Sequence, residues 1–423
     1  MPIRLKLLGA AKEVGRAGLL LDVEGEQVLL DYGVSLKGNE PEFPLPVQPR
    51  NIRVSALSHA HLDHSGALPL LYVSARPPLL TTPLSLSLSE LLIRDFMKLS
   101  KYYIPYELEE LEKMKDHAVP LVYNEVYEAG ELTFRMVDAG HIPGSSMIVL
   151  ETPSFTIVYT GDYALHDTCL LRKGDSGAIA KADVLIMETT YAEFDHPPRD
   201  VVEKEFVSSL EEVLSAGGIV LIPAFAVGRA QEILCVLAKH GVSYPVYVDG
   251  MARRANELIA ESSDLLRDPR LFEKALDMAQ SIEDWDDRKR ALSSPGVIVS
   301  PAGMLKGGPS EYYMEKLMDD PRNAVFLVSF AIPETPARQV IETGVYSSAT
   351  KKGIVKARVE WFDFSAHCGR SELEETIRLT KRSASIVLMH GEEGAEQAVY
   401  RYATESGRRA YAPSAGEWLE IEL

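Results

Sequence analysis

Residues 58–66 read SHAHLDHSG. Three of the chain's 10 histidines, His59, His61 and His64, fall within this stretch, with Asp63 between them. Imidazole and carboxylate together suit zinc, manganese or iron, whereas calcium-type cages use oxygen alone. The apolar run before the cluster, Arg53 to Ser58, reads as a buried strand. Asp63 to Tyr72 reads as the start of a helix, weakened by Gly66 and Pro69. The cluster therefore sits where a strand gives way to a helix. On extended backbone His59 and His61 face one side. Asp63 and His64 follow the turn and face a second point. The spacing predicts two metals side by side, and it is far more specific than a lone histidine.

Two metals need more ligands, and apolar strands elsewhere end in suitable residues. His141 lies in AGHIPGS, after the expected strand Leu132–Val137. Asp162 lies in YTGDY, directly after Phe155–Tyr159. His390 opens HGE, directly after Ile386–Met389, and Asp31 follows Val28–Leu30. Any one of these could be a turn residue. Four in the same context, beside HxHxDH, point to ligands gathered at one edge of a sheet, where they are held rigidly.

HAHLDH, AGHIPGS and TGDY resemble the metal-binding motifs of the metallo-β-lactamase fold. ETTY at 188–191, FSAHCG at 364–369 and MHGE at 389–392 resemble the three further motifs of the β-CASP nucleases. IPAFAVGRAQE (222–232) and SPAGMLKGGPS (300–310) are similar to the same family. The resemblance spans essentially the whole chain. It is strongest to archaeal and bacterial relatives of the endonuclease subunit of the cleavage and polyadenylation specificity factor, with the ribonuclease J group more distant. It implies that His59, His61 and His141 bind one metal, that Asp63, His64 and His390 bind the other, and that Asp162 bridges them. It also implies that Asp31 orients a ligand from behind, and that Glu188 hydrogen-bonds His367, which faces the scissile phosphate. The implied cofactors are two zinc ions, with manganese as the alternative. Phosphodiester hydrolysis fits such a site: paired metals activate water and clamp phosphate oxygens. Asp63 would orient the water. His367, kept protonated by Glu188, would protonate the leaving oxygen. The sequence departs from the family pattern at Cys368 and Gly369, where alanine and an acid are usual, and in SFAIPETPAR (329–338). Those departures bear on how the substrate strand is held. Cys368 reads as a small buried hydrophobe.

At 46% hydrophobic, 423 residues suffice for two or three domains with large cores. No 18-residue apolar run and no leader pattern is seen, so a membrane span or secretion is not expected. Three scattered cysteines, Cys169, Cys235 and Cys368, offer no disulfide framework and fit a reducing cytoplasm. A net charge of −18 is awkward for a nucleic-acid enzyme. Bound metals add positive charge that the count omits. Basic residues group at Lys351, Lys352, Lys356 and Arg358, and at Arg253 with Arg254, although a solvated helix face is the plainer reading of each.

The expected fold class is α/β: a metallo-β-lactamase αββα sandwich with an inserted, doubly wound parallel-sheet β-CASP domain. Residues 1–190 hold the first ligands and a helical stretch around 84–117. From 191 to 350, strands and helices alternate, as in a parallel sheet. Residues 351–423 return to the first domain, because His367 and His390 must reach its metals, and the site is expected in a cleft between domains. Within the insert, Lys306, Gly307, Gly308 and Ser310 lead into a helix amino terminus, and Arg229 opens another. Such termini attract phosphate. The expected activity is hydrolysis of single-stranded RNA, endonucleolytic with 5′-to-3′ exonuclease action as an addition, in RNA processing or decay. A homo-oligomer or a processing complex is the expected setting. The alternatives are a DNA nuclease of the same fold, disfavoured because DNA-specific relatives tend to carry valine at the position of His390, and an inactive processing scaffold, disfavoured because every ligand is kept. A small-molecule hydrolase ranks last, since such enzymes lack the insert and the SAH histidine.

Overall fold

The computed structural model describes residues 3–38, 40–100, 102–329 and 335–422. The chain divides into two compact units. The first comprises residues 1–167, 173–195 and 366–423; the second comprises 168–172 and 196–365.

The first unit is built on two seven-stranded sheets. In one, the strands Ile3–Gly9, Gly18–Val23 and Glu26–Tyr32 run antiparallel, then Ile52–Ala56, Leu79–Thr81 and Ala118–Pro120 continue parallel to the last of them. In the other, Thr156–Tyr159, Val184–Glu188, Ser385–Met389 and Arg409–Tyr411 are parallel, and Ser146–Glu151, Leu132–Asp138 and Val126–Ala129 complete an antiparallel edge. Period-two alternation sorts the side chains. Val28, Leu30, Ile148 and Leu150 enter the core between the sheets. Leu29 turns outward to helices carrying Leu71, Ile93 and Met114. Met147 and Val149 turn outward to helices carrying Leu373, Ile377 and Val399. Each sheet is thus apolar on both faces, and a helix layer outside each completes four layers.

The second unit holds a six-stranded sheet whose neighbours all pair in parallel, in the order Ala279–Ser281, Val246–Val248, Gly296–Ser300, Ile219–Pro223, Ala324–Leu327, Arg358–Trp361. It runs to residue 365, beyond the expected 350. Arg358–Trp361 adds a strand beside Ala324–Leu327. Phe206 then packs its ring 5.3 Å from Phe362 and 5.2 Å from Phe364. Burying an aromatic side chain contributes on the order of 2 kcal/mol, enough to hold this stretch in the insert. Within its basic groupings, Lys351 pairs with Asp319, Arg358 with Glu212, Arg253 with Glu283 and Arg254 with Glu257.

Two helical expectations change in detail. The stretch 84–117 forms two helices, Pro83–Leu99 and Leu108–Asp116, parted by a segment containing Pro105. The helix expected from Asp63 to Tyr72 is a single turn, Leu62–Ser65, and then a 3-10 segment, Leu68–Val73, with Pro69 in its first turn. Residues 330–334, the middle of SFAIPETPAR, lie outside the described residues.

Candidate metal centre

The strand Ile52–Ala56 ends two residues before Ser58, and the turn that follows places His59, His61, Asp63 and His64. His141 follows Leu132–Asp138, Asp162 follows Thr156–Tyr159, Glu188 is the last residue of its strand, and His390 directly follows Ser385–Met389. All belong to the first unit. Their ligand atoms, with those of His367, converge in three groups, the first and last sharing Asp162: His59, His61, His141 and Asp162; Asp63, His64 and His390; and Asp162, Glu188 and His367.

In the first group, His61 Nδ1 stands 3.2 Å from His59 Nε2 and 3.2 Å from His141 Nε2. Asp162 Oδ2 is 3.7 Å from the Nε2 atoms of both His59 and His141. A four-coordinate ion with bonds of about 2.0–2.1 Å has ligand atoms about 3.3–3.4 Å apart, so these separations are edges of a tetrahedron. In the second group, Asp162 Oδ1 is 3.4 Å from His64 Nε2 and 3.2 Å from His390 Nδ1, and Asp63 Oδ2 is 3.5 Å from His390 Nε2. His64 Nε2 and Asp162 Oδ1 are buried without a hydrogen bond. Two polar atoms in that state are costly unless a cation meets them. The donor set therefore fits divalent metal.

The backs of the imidazoles fix which nitrogen faces the cluster. His64 Nδ1–H donates to Asp31 Oδ2 at 2.7 Å, and His141 Nδ1–H donates to the Ala366 carbonyl at 2.9 Å. Ser58 gives its hydroxyl proton to Asp31 at 2.7 Å, so its oxygen accepts from His59 Nδ1–H at 3.0 Å. Each of these three rings turns a proton-free Nε2 to the centre, as outer hydrogen bonds do at metal sites. Asp31 is the hub. It is fully buried and also accepts from the Ser58 amide and the Tyr159 hydroxyl, both at 2.7 Å. The sequence marked Asp31 but not Tyr159, whose place as the last residue of an expected strand was the only hint. Nor did it mark the Gly15 amide, which reaches His390 Nε2 at 3.2 Å.

Electrostatics divides the ligands. Burial pushes His59, His61 and His141 below the usual histidine range, toward the neutral form a metal requires. Burial acts the same way on His64 and His390, but Asp162, with Asp31 at His64 and Asp63 at His390, outweighs it. His64 is raised, and His390 is pushed up to about 10.

His367 stands beside the ligands, its ring 4.5 Å from that of His141. Its Nδ1 meets Glu188 Oε1 at 2.8 Å and Oε2 at 3.0 Å. Burial lowers its basicity, but Glu188 and Asp162 raise it by more. Glu188 is itself fixed by the Tyr163 amide at 3.0 Å. Cys368 is fully buried, and burial pushes its thiol well up, so it is an inert core residue.

The phosphate candidates lie in the second unit. Gly307 and Gly308 have φ of 77° and 66°, which glycine alone adopts freely, and the helix Gly308–Leu317 starts there. Lys306 is exposed and Arg229 half-buried. Ser310 departs from expectation. It is fully buried, its hydroxyl donates to the Ser300 carbonyl at 2.8 Å and its amide to the Pro301 carbonyl at 2.8 Å. Its polar groups close the loop, and none is left for a ligand. The Gly307 amide is likewise taken, by Glu311 at 2.9 Å.

Residues 15–180 match the metallo-beta-lactamase superfamily, 230–340 the Beta-Casp domain and 353–413 the Zn-dependent metallo-hydrolase RNA specificity domain. RNase aCSPSF2 of Saccharolobus solfataricus is 41% identical over 99% of this chain and 85% of its own length. The chain belongs to the β-CASP metallo-β-lactamase family. A second β-CASP relative, named "Probable RNase MJ4", from Methanocaldococcus jannaschii, is 37% identical over 98% of this chain and 99% of its own. The fold also matches the crystal structure of a protein of unknown function from Enterococcus faecalis, with a TM-score of 0.63, 16% identity and full coverage of both chains. The α/β architecture is that of the family, and a Zn-dependent metallo-hydrolase family match together with the His/Asp cluster supports use of divalent metal.

Proposed function

We propose that the chain is a metal-dependent ribonuclease that hydrolyses phosphodiester bonds of single-stranded RNA, cutting internally, with 5′-to-3′ exonuclease action on the same centre. The observation that carries this reading is the adjacency of a complete metal-ligand cluster to a histidine whose Nδ1 is clamped 2.8 Å from a buried glutamate. The family's RNA specificity region and its ribonuclease-named relatives give the substrate class.

His59, His61 and His141 would hold one zinc ion, and Asp63, His64 and His390 a second, with Asp162 shared. Such ions, when bound, supply Lewis acidity and an acidified water. The chain's own groups do the rest. Asp31 holds His64 directly and His59 through Ser58, so the ligand nitrogens keep their aim. Asp63, 32% exposed, would orient the attacking water. Glu188 holds the proton on His367 Nδ1 and favours the imidazolium, which gives up its Nε2 proton to the departing oxygen. Arg229 and Lys306 of the insert would contact the RNA backbone as cations.

A time course on single-stranded RNA labelled at the 3′ end and blocked at the 5′ end, with metal analysis of the same sample, tests this. Internal fragments appearing early are expected. Intact RNA at full metal occupancy would refute the ribonuclease reading.

A further inference from the structure

Away from the metal cluster, the first unit has a cavity of about 460 Å³ lined by Lys12, Glu396, Tyr400, Tyr411, Glu417 and Trp418, among others. Glu396, on the helix Glu393–Glu405, is 1% exposed. Its Oε1 accepts from the Lys12 amide at 2.8 Å. Its Oε2 is buried with no hydrogen bond. A half-satisfied buried carboxylate costs on the order of 1–3 kcal/mol or more and calls for a partner. The walls say which kind. Tyr400 and Trp418 are each 40% exposed. Trp418 already draws cations to its ring, with Lys6 4.6 Å and Arg4 5.1 Å from the centroid. Aromatic faces beside carboxylates are the usual setting for an organic cation, which offers an apolar stem to the rings and a charge to the acids. A bare divalent ion fits less well. The groups of the described residues that could hold a metal are confined to the catalytic cluster, and Glu396 is in none of them.

We propose that this cavity is a binding site for a primary ammonium group carried on an alkyl stem, with Glu396 as the counter-ion and Trp418 and Tyr400 as the walls. Such a group arrives on a free polyamine or on a lysine side chain of a partner. The site stands independently of the ribonuclease reading. Glu396 also fastens Lys12, whose loop supplies Gly15 to His390. Glu396 faces Lys12 from the loop, Glu393 from its own helix and His390 from the strand end. Burial pushes its carboxyl up to about 7.

The test is calorimetric titration of the zinc-loaded full chain with spermidine, and in a second arm with Nα-acetyl-lysine amide, at physiological ionic strength. Saturable 1:1 binding is expected. At least a tenfold loss of affinity is expected in Glu396→Gln, which keeps the acceptor for Lys12, and in Trp418→Ala. Tighter binding of spermidine identifies the free polyamine, and tighter binding of the amide identifies a partner's lysine. Both support the site. Should Glu396→Gln fail to fold, Trp418→Ala decides. Uptake that does not saturate, or that is equal in all three proteins, overturns the proposal, because a chain of net charge −18 gives that much without a site.

Discussion

The two units treat their conspicuous polar residues in opposite ways. In the first, residues at strand ends keep ligand atoms turned toward one another, and the fold spends further groups on aiming them. His64 Nε2 and Asp162 Oδ1 stay buried without a hydrogen bond while Asp31 collects four donors behind them. In the second, the glycine-rich loop 300–310 takes up the polar groups that looked like ligands, with the Ser310 hydroxyl bonded to the Ser300 carbonyl and the Gly307 amide to Glu311 on the following helix. A polar cluster held short of satisfaction marks chemistry, and one fully satisfied marks a turn.

Substitutions sharpen that contrast. His61→Ala or Asp63→Ala should bring RNA cleavage below detection and lower the bound metal, measured by elemental analysis on the same preparation. Full metal with wild-type turnover would place the reaction elsewhere.

His367→Ala should retain metal yet slow turnover by about 10²–10⁴-fold, the usual worth of a general acid. Its partner is read from pH. Glu188 raises the basicity of His367, and the acid works only while protonated. Activity therefore falls as pH rises through that raised value. Glu188→Gln should move this alkaline limb of kcat to lower pH, and an unmoved limb would assign it to another group.

Asp31→Asn keeps the shape but weakens the hold on His64, and should cost about 10–100-fold in metal affinity by chelator competition. Acid should also separate the two halves of the centre. His64 and His390 are raised and bind protons readily, whereas His59, His61 and His141 are lowered. As pH falls, the half holding His64 and His390 should release its ion first. Simultaneous release would contradict the division.

The smallest effects belong to the insert. Lys306→Ala should raise KM and lower the salt slope of RNA binding by about 1 with kcat kept. Ser310→Ala should cost about 1 kcal/mol of stability and leave turnover nearly unchanged. A large loss of turnover from Ser310→Ala would erase the contrast drawn here.

What could be read from the sequence follows the same line. HxHxDH and the strand-end residues His141, Asp162 and His390 were legible because strand ends are local features with sharp apolar-to-polar edges. Tyr159 and the Gly15 amide were not, because their partners, Asp31 and His390, lie 128 and 375 positions away. The insert's far boundary was misplaced because Arg358–Trp361 is short and joins a strand remote in sequence. The helical stretch expected around 84–117 is two helices parted by a segment containing Pro105, and Pro69 lies in the 3-10 segment that takes the place of the helix expected from Asp63. Ser310 looked like a ligand because loop sequence does not tell which hydroxyls the backbone claims.

The most direct test of the account is anomalous diffraction at the zinc edge from zinc-soaked crystals. It predicts two peaks, about 3.5–4 Å apart, one among His59, His61 and His141 and the other among Asp63, His64 and His390, with Asp162 between them. A single peak, or none, in that cluster would contradict it.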